Sequence, residues 1–425
     1  MIIYKLFIQF GKKLSILILF TVFYANAQQV LTLEQCYNFA KQNHPISSKS
    51  EILANQSNWE IQSLEAQKYP KIDFEAQATY QSDVIVLPIS LPNISIDSPD
   101  KDQYKTTITI SQLIYNGGLI DTQKELKKLQ FETQTKDVEV QLHNLKGQIN
   151  QIYFSILLAQ QKEEIFTKKI AQLEDKKIEI EKLISNGSTY ESSVEPIQVK
   201  IFELTQSKIE LDYSLKQLYH QLSLTTGISI ESNTLLEIPN NTVLDENPRT
   251  ELAVFDLKKQ TIELQSELLK RQTFPKIMAF GTAGYGKPGL NMLNNSFDDY
   301  FLAGLKIQWN IFDFQTNKKQ QMANNLNLDL IENQEAIFLW QQNNTVQNYN
   351  SEIEKIKNLI LSDLQIIEYR KKIVETASKQ LKHDLITSSE YTAEINNLLE
   401  AEINQKTHEI QLALAKTNYK ITLYE

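Results

Sequence analysis

One cysteine, eleven glycines and ten prolines in 425 residues are few, and each shortage excludes something. A single thiol, Cys36, can form no intramolecular disulfide and no cysteine-based metal cluster, so stability has to come from packing and assembly. So few chain breakers leave room for long uninterrupted helices. The histidines, at 44, 143, 220, 383 and 408, show no metal-ligand spacing, and neither a metal nor another cofactor is expected. Nucleophile elbows, phosphate-cradling loops and paired-acid motifs are missing, which argues against an enzyme. A formal net charge of -9 without a basic stripe argues against a nucleic-acid surface. No apolar run approaches the roughly 20 residues that a membrane-spanning helix needs.

The apolar run from Leu14 to Phe23 follows Lys5, Lys12 and Lys13 and precedes Ala25-Asn26-Ala27, the layout of a secretory signal over 1–27 removed before Gln28. Lipid attachment at Cys36 is not expected, because Leu33-Glu34-Gln35 lacks the small residues of a lipidation box and lies past that cleavage point. If the exported chain crosses a membrane, strands must do it.

What is present is a duplication. Tyr69-Pro70-Lys71-Ile72 matches Phe274-Pro275-Lys276-Ile277, and Ile110 to Asn116 matches Ile307 to Asp313, each copy leading into a long helical stretch. The first repeat covers 28–232. It reads as a helix from Leu33 to Tyr69 with Thr32 as N-cap, strands at about 71–87 and 104–115, a helix at about 119–186 and a returning helix at about 190–226. After a connector at 233–246, the second repeat (247–425) reads as a helix to Gln272, strands at about 276–286 and 301–312, a helix at about 316–383 and a return at about 388–423.

In the strands the period is two. Ile72, Phe74, Ala76, Ala78 and Tyr80 share one face and Lys71, Asp73, Glu75, Gln77 and Thr79 the other; Phe301, Ala303, Leu305, Ile307, Trp309 and Ile311 form the matching apolar face in the second repeat. In the long helices the period is seven: Leu339, Val346, Ile353, Ile360, Ile367, Val374 and Leu381 recur without a miss. At 1.5 Å per residue a stretch such as 119–186 spans about 100 Å, too long for a globular core. Strands with one apolar face cannot leave open edges in lipid, so four per chain must close with other copies, eight strands in a dimer or twelve in a trimer. Trp309 and Tyr285 suit either an aromatic belt at the bilayer interface or packing within the barrel.

Leu31-Thr32-Leu33-Glu34-Gln35-Cys36 with Asn43-His44-Pro45, the Tyr69-Pro70 strand entry, Gln112-Leu113-Ile114-Tyr115-Asn116-Gly117-Gly118 and their counterparts make the chain resemble the TolC-like outer-membrane efflux protein family over its mature length. The resemblance implies a mixed membrane α+β fold. Three protomers would form a 12-stranded outer-membrane β-barrel, continued across the periplasm by a helical coiled-coil barrel. It also implies docking to a periplasmic adaptor protein and an inner-membrane transporter, with the pump rather than the tube choosing the cargo. In that family, acidic residues early in the last helix close the periplasmic end. By position these fall on Glu390 and, one residue past the second family place (here Ala393), on Glu394; Glu191 and Glu195 are weaker candidates for the same rim. The plain alternative for each is a solvated charge. The turns Asn186, Gly187, Ser188, Thr189 and Asp384, Leu385, Ile386, Thr387 are the expected adaptor-docking tips, the second without a glycine; the plain alternative is a simple helix reversal. The competing reading is a periplasmic coiled-coil adaptor or scaffold, which needs one helical hairpin and small glycine-rich β-domains.

Overall fold

In the computed structural model the described residues are 30–85, 98–239, 248–292 and 294–424. The secretory signal and its cleavage point, the end of the first strand at 86–87, most of the loop after it and the connector residues 240–246 lie outside them. The chain divides into two compact units, one made of Met1–Ser47, Gln141–Pro248 and Gln341–Glu425, the other of Ser48–Val140 and Arg249–Trp340.

The second of these holds the sheet. Strands β1 (Lys71–Tyr80), β2 (Asp102–Tyr115), β3 (Lys276–Lys287) and β4 (Asp298–Gln308) form one antiparallel sheet in the order β1-β2-β3-β4. The two hairpins are thus joined edge to edge along β2 and β3, while β1 and β4 remain unpaired edges. The register puts Phe74 opposite Ile108, Ile108 opposite Ala283 and Ala283 opposite Phe301, so the apolar face read from the sequence runs unbroken across all four strands. Ile72, Phe74, Ile108, Ile110, Phe301, Leu305 and Ile307 on it are exposed in the single chain. The opposite face carries Lys71, Asp73, Glu75, Gln77, Thr107, Thr109 and Lys306, together with Leu113, Met278, Phe280 and Leu302, and Thr109 and Thr282 are in side-chain contact at 3.0 Å. Trp309 and Ile311, expected in the last strand, lie beyond it: β4 starts earlier and ends at Gln308, after which Phe314 and Gln315 adopt left-handed backbone to turn the chain into a helix. Trp309 is held at this corner by its indole N–H, which donates to Thr273 O at 3.0 Å. Tyr285 lies under Phe297, the rings stacked at 5.5 Å.

The expected first helix is two: α1 (Leu33–Asn43) and α2 (Pro45–Ala66). Pro45 lacks an N–H and its ring drives the preceding residue out of the helical region, so His44 is extended and Pro45 starts a new helix. Thr32 and Gln35 cap α1 reciprocally, Gln35 N–H donating to Thr32 Oγ1 at 3.3 Å and Thr32 N–H to Gln35 Oε1 at 2.9 Å. The remaining helices are α3 (Leu119–Ser185), α4 (Glu195–Thr226, preceded by a 3-10 turn at Glu191–Ser193), α5 (Thr250–Gln272), α6 (Thr316–Lys382) and α7 (Ser388–Leu423). Helices α3 and α6 are each 67 residues long, the same element twice.

The helical unit has two cores. In one, Leu145, Ile149, Tyr153 and Ile156 of α3 pack with Leu215, Tyr219 and Leu222 of α4 and with Cys36 and Tyr37 of α1. The connector is more than a link: Leu236 pairs with Leu31 as a parallel bridge and belongs to this core. The Tyr153 hydroxyl sits 2.8 Å from both Leu31 O and Glu237 O, fixing that bridge to α3. Cys36 is fully buried here, and burial pushes its thiol up to about 12, so it acts as a packing side chain. The other core joins Leu173 and Ile180 with Ile197, Ile201 and Leu204 of α4, Ile367, Val374 and Leu381 of α6, and Tyr391, Ile395 and Leu398 of α7. Each such side chain contributes roughly 1.5–3 kcal/mol on burial. The start of the heptad differs, since Leu339 is 44% exposed and belongs to neither core among the described residues.

Candidate functional site

The helix reversals at the ends of α3 and α6 are built alike. After α3, Gly187 takes φ +67, its N–H donates to Ile184 O at 2.9 Å, and Ser188 N–H donates to Leu183 O at 2.8 Å. After α6, Asp384 takes φ +57, its N–H donates to Leu381 O at 3.1 Å, and Leu385 N–H donates to Gln380 O at 2.9 Å. Both are Schellman caps, which need one left-handed residue to bring the chain back onto the orphan carbonyls. The second turn lacks a glycine but not the geometry. Asp is among the few L-residues that enter this region readily.

The two turns also touch. Thr189 Oγ1 donates to Asp384 Oδ1 at 3.3 Å and lies 3.2 Å from Ser193 Oγ. Of the tip residues, Tyr190 and Leu385 are 78% and 72% exposed, whereas Ile386 packs on the second core. These two turns thus offer two large side chains to solvent from capped, mutually bonded helix ends.

The acidic candidates occupy three different settings. Glu390 is the third residue of α7 and closes a capping box: Thr387 N–H donates to its carboxylate at 2.7 Å, and its own N–H donates to Thr387 Oγ1 at 3.2 Å. The backbone hydrogen bond from Thr387, then that residue's hydroxyl, hold this carboxyl below its usual range. Glu394, one turn on, accepts from Arg370 of α6 at 3.2 Å and from Asn397 at 3.3 Å. These two acids line one shallow groove with Tyr369, Lys372, Thr376 and Ile386. Glu195, first residue of α4, lines a separate groove with Lys200, Ser389 and Ala393, on another flank of α7, and Glu191 stands exposed in the short turn before it. Within one chain the structure therefore brings Glu390 and Glu394 together and leaves the other pair apart.

Two polar partners in α6 escaped the sequence reading. Ile356, Asp363, Arg370 and Ala377 follow one another at seven-residue spacing, three positions after each apolar heptad residue. Asp363 meets His408 Nδ1 of α7 at 2.6 Å and Arg370 meets Glu394. A search for charges at the second position of the heptad would have found both. His143, for its part, hydrogen-bonds Ile421 O through Nε2 at 2.8 Å, a packing contact between α3 and α7.

Comparison with known proteins matches residues 36–228 to the family described as outer membrane efflux protein. No curated protein sequence matches the chain significantly. Among solved structures, the outer membrane protein VceC from Vibrio cholerae is similar with a TM-score of 0.66 at 14% identity, over 92% of this chain and 94% of that one. The CmeC outer membrane channel of Campylobacter jejuni has a TM-score of 0.67 at 13% identity, over 92% and 85%. The open-state MtrE outer membrane channel of Neisseria gonorrhoeae has 0.61 at 14%, over 92% and 87%. At such identities the likeness concerns the fold.

Proposed function

We propose that this chain, whose residues 36–228 match the outer membrane efflux protein family, is the channel subunit of a tripartite efflux or type I secretion system. It would be a passive exit duct in the outer membrane whose helices lie in the periplasm. The observation that carries this is the four-stranded sheet with one continuous apolar face, an opposite face that holds most of the charged and polar side chains, and two edges unpaired among the described residues. In lipid those edges must be satisfied, so the sheet closes with further copies, three of them giving twelve strands around a polar, water-filled lumen. A periplasmic adaptor would carry a single helical hairpin and small β-domains; this chain carries two hairpins of helices and one four-stranded sheet.

Cargo would be delivered by an inner-membrane transporter through a periplasmic adaptor docked on the joined tips, with Tyr190 and Leu385 as its anchors. Glu390 and Glu394 would face the narrow end, where three copies of each concentrate negative charge and favour cations. The chain recovered from outer membranes should run as a trimer that heat dissociates, and should conduct ions in planar bilayers. A non-conducting monomer in the periplasmic fraction would overturn the proposal. A cysteine at Leu385 should crosslink the adaptor; capture of neighbouring protomers alone would remove the docking role.

A further inference from the structure

The internal duplication specifies more than the fold. The shift that takes Ile110 to Ile307 also takes Gly117 to Phe314, Gly118 to Gln315 and Gly187 to Asp384, and all six of these latter residues have left-handed backbone. The hairpins agree as well: Ile72 is opposite Ile110 in the first, and their counterparts Ile277 and Ile307 are opposite each other in the second. So β4 is the structural counterpart of β2, and β1 of β3.

Within the chain, the two repeats meet along β2 and β3, with Ile108 opposite Ala283, Thr109 opposite Thr282 and Ile110 opposite Gly281. The counterpart strands β4 and β1 are the two free edges. We infer that β4 of one copy pairs antiparallel with β1 of the next in the register of the β2 and β3 junction, placing Leu305 opposite Ala78, Lys306 opposite Gln77 and Ile307 opposite Ala76. The inference rests on the reading of the sheet as part of a barrel closed by further copies, and adds to it how the copies are aligned.

The side chains agree with this alignment independently. On the apolar face of the observed junction, large residues meet small ones, Ile108 with Ala283 and Ile110 with Gly281. The expected junction repeats the pattern, Leu305 with Ala78 and Ile307 with Ala76. A one-residue slip would turn one strand's apolar residues to the polar side. Slips of two residues keep the faces but set Ile307 against Phe74 or Leu305 against Tyr80, large against large. On the polar face Gln308 falls opposite Glu75, and Lys306 lies diagonal to it, a separation of about 7–8 Å that a lysine spans.

One end departs from the template. A Cβ at Gly117 would meet Phe274 Cβ at 2.6 Å, so glycine is needed there. The counterparts of Gly117 and Phe274 are Phe314 and Tyr69, which are 79% and 70% exposed in the single chain. With two rings in place of one, the junction between copies is wider at its helix end than the junction inside the chain.

The test is disulfide trapping in isolated outer membranes with the full chain and a mild oxidant. Because Thr109 and Thr282 touch at the template position, Lys306→Cys with Gln77→Cys should link copies into dimers and trimers. The rate should be at least about fivefold above Lys306→Cys with Glu75→Cys or Thr79→Cys, whose Cβ atoms would lie beyond disulfide reach. Leu305→Cys with Ala78→Cys reads the same register from the other face, should the first pair fail to reach the membrane. Faster linking of either slipped pair overturns the register while leaving the closed barrel standing. Failure of every pair in a protein that still migrates as a trimer also overturns it. Failure of every pair in a monomer overturns the barrel reading itself.

Discussion

The two repeats build the same backbone with different chemistry. Where the first turns from strand to helix through Gly117 and Gly118, the second uses Phe314 and Gln315 at similar positive φ; where the first caps its long helix with Gly187, the second uses Asp384. Left-handed backbone costs a non-glycine residue roughly 1–2 kcal/mol. Three such residues in the second repeat mean that helix length and strand register, not local preference, dictate these turns. The helix pairs next to the sheet differ too. In the first repeat α2 and the turn that follows it are tied to α3 by three ion pairs, Lys68 with Asp121, Lys124 with Glu65, and Lys127 with Glu60. In the second, the counterpart of Lys127 is Asn324, which donates to Ile262 O at 2.8 Å and to Ser266 Oγ at 2.7 Å. The first repeat is held by exposed charge, the second by amides together with one less exposed ion pair, Lys259 with Glu335.

Exchanging the turn residues should break the comparison most visibly. Gly117→Ala adds a Cβ against Phe274 in backbone that already disfavours it, and should cost about 2–4 kcal/mol, read as a lower thermal unfolding midpoint. Gln315→Gly should instead raise the midpoint by removing about 1 kcal/mol of backbone cost. Equal effects of both would show that the turns are not equivalent.

Next in size, Asn324→Ala should destabilise by about 1 kcal/mol at any ionic strength. Lys127→Ala should matter at low salt and vanish in high salt, because its pair with Glu60 is exposed and screened. Hydrogen exchange of α2 against α5 would resolve the two.

Acid should loosen the first repeat earlier. Hydrogen bonds from Lys127, Lys124 and Lys68 hold the carboxyls of Glu60, Glu65 and Asp121 below their ordinary range. A carboxyl with a lowered folded value contributes stability that is complete above the ordinary range, about pH 4, and is lost as pH falls through the lowered value. Exchange in α2 should therefore accelerate below about pH 4 before exchange in α5 does.

The smallest effect separates cap from charge at the tip. Glu390→Gln keeps the capping-box geometry and removes the charge, whereas Glu390→Ala removes both. If the carboxylate selects cations, Gln alone should lower selectivity in single-channel records without raising exchange at 388–392. If selectivity stays while Ala frays the helix start, Glu390 is only a cap.

The strand faces were legible because alternation is written in the chain itself: every large apolar residue placed on one face, from Ile72 to Ile307, stands there. His44 shows where reading failed in a recoverable way, since the constraint from Pro45 is local and was available. Asp384 is a different case: aspartate tolerates left-handed backbone, but nothing in His383-Asp384-Leu385 requires it, and the need arises only when α6 has to reverse against α7. Glu394 is similar: its partner Arg370 lies on another helix, at a heptad position that the apolar residues overshadowed.

By itself the sequence determined periodicities, and with them the lengths of the two long helices, the two faces of the strands and the duplication. The periodicities are properties of neighbours two, four or seven residues apart, and the duplication is the same local pattern written twice. Tertiary structure alone decided that the hairpins fuse along β2 and β3, that Leu236 of the connector enters a core, and that Glu394 pairs with Arg370. Such choices depend on which groups distant in the chain arrive at the same place, and only packing and the satisfaction of buried or bonded polar groups select among them.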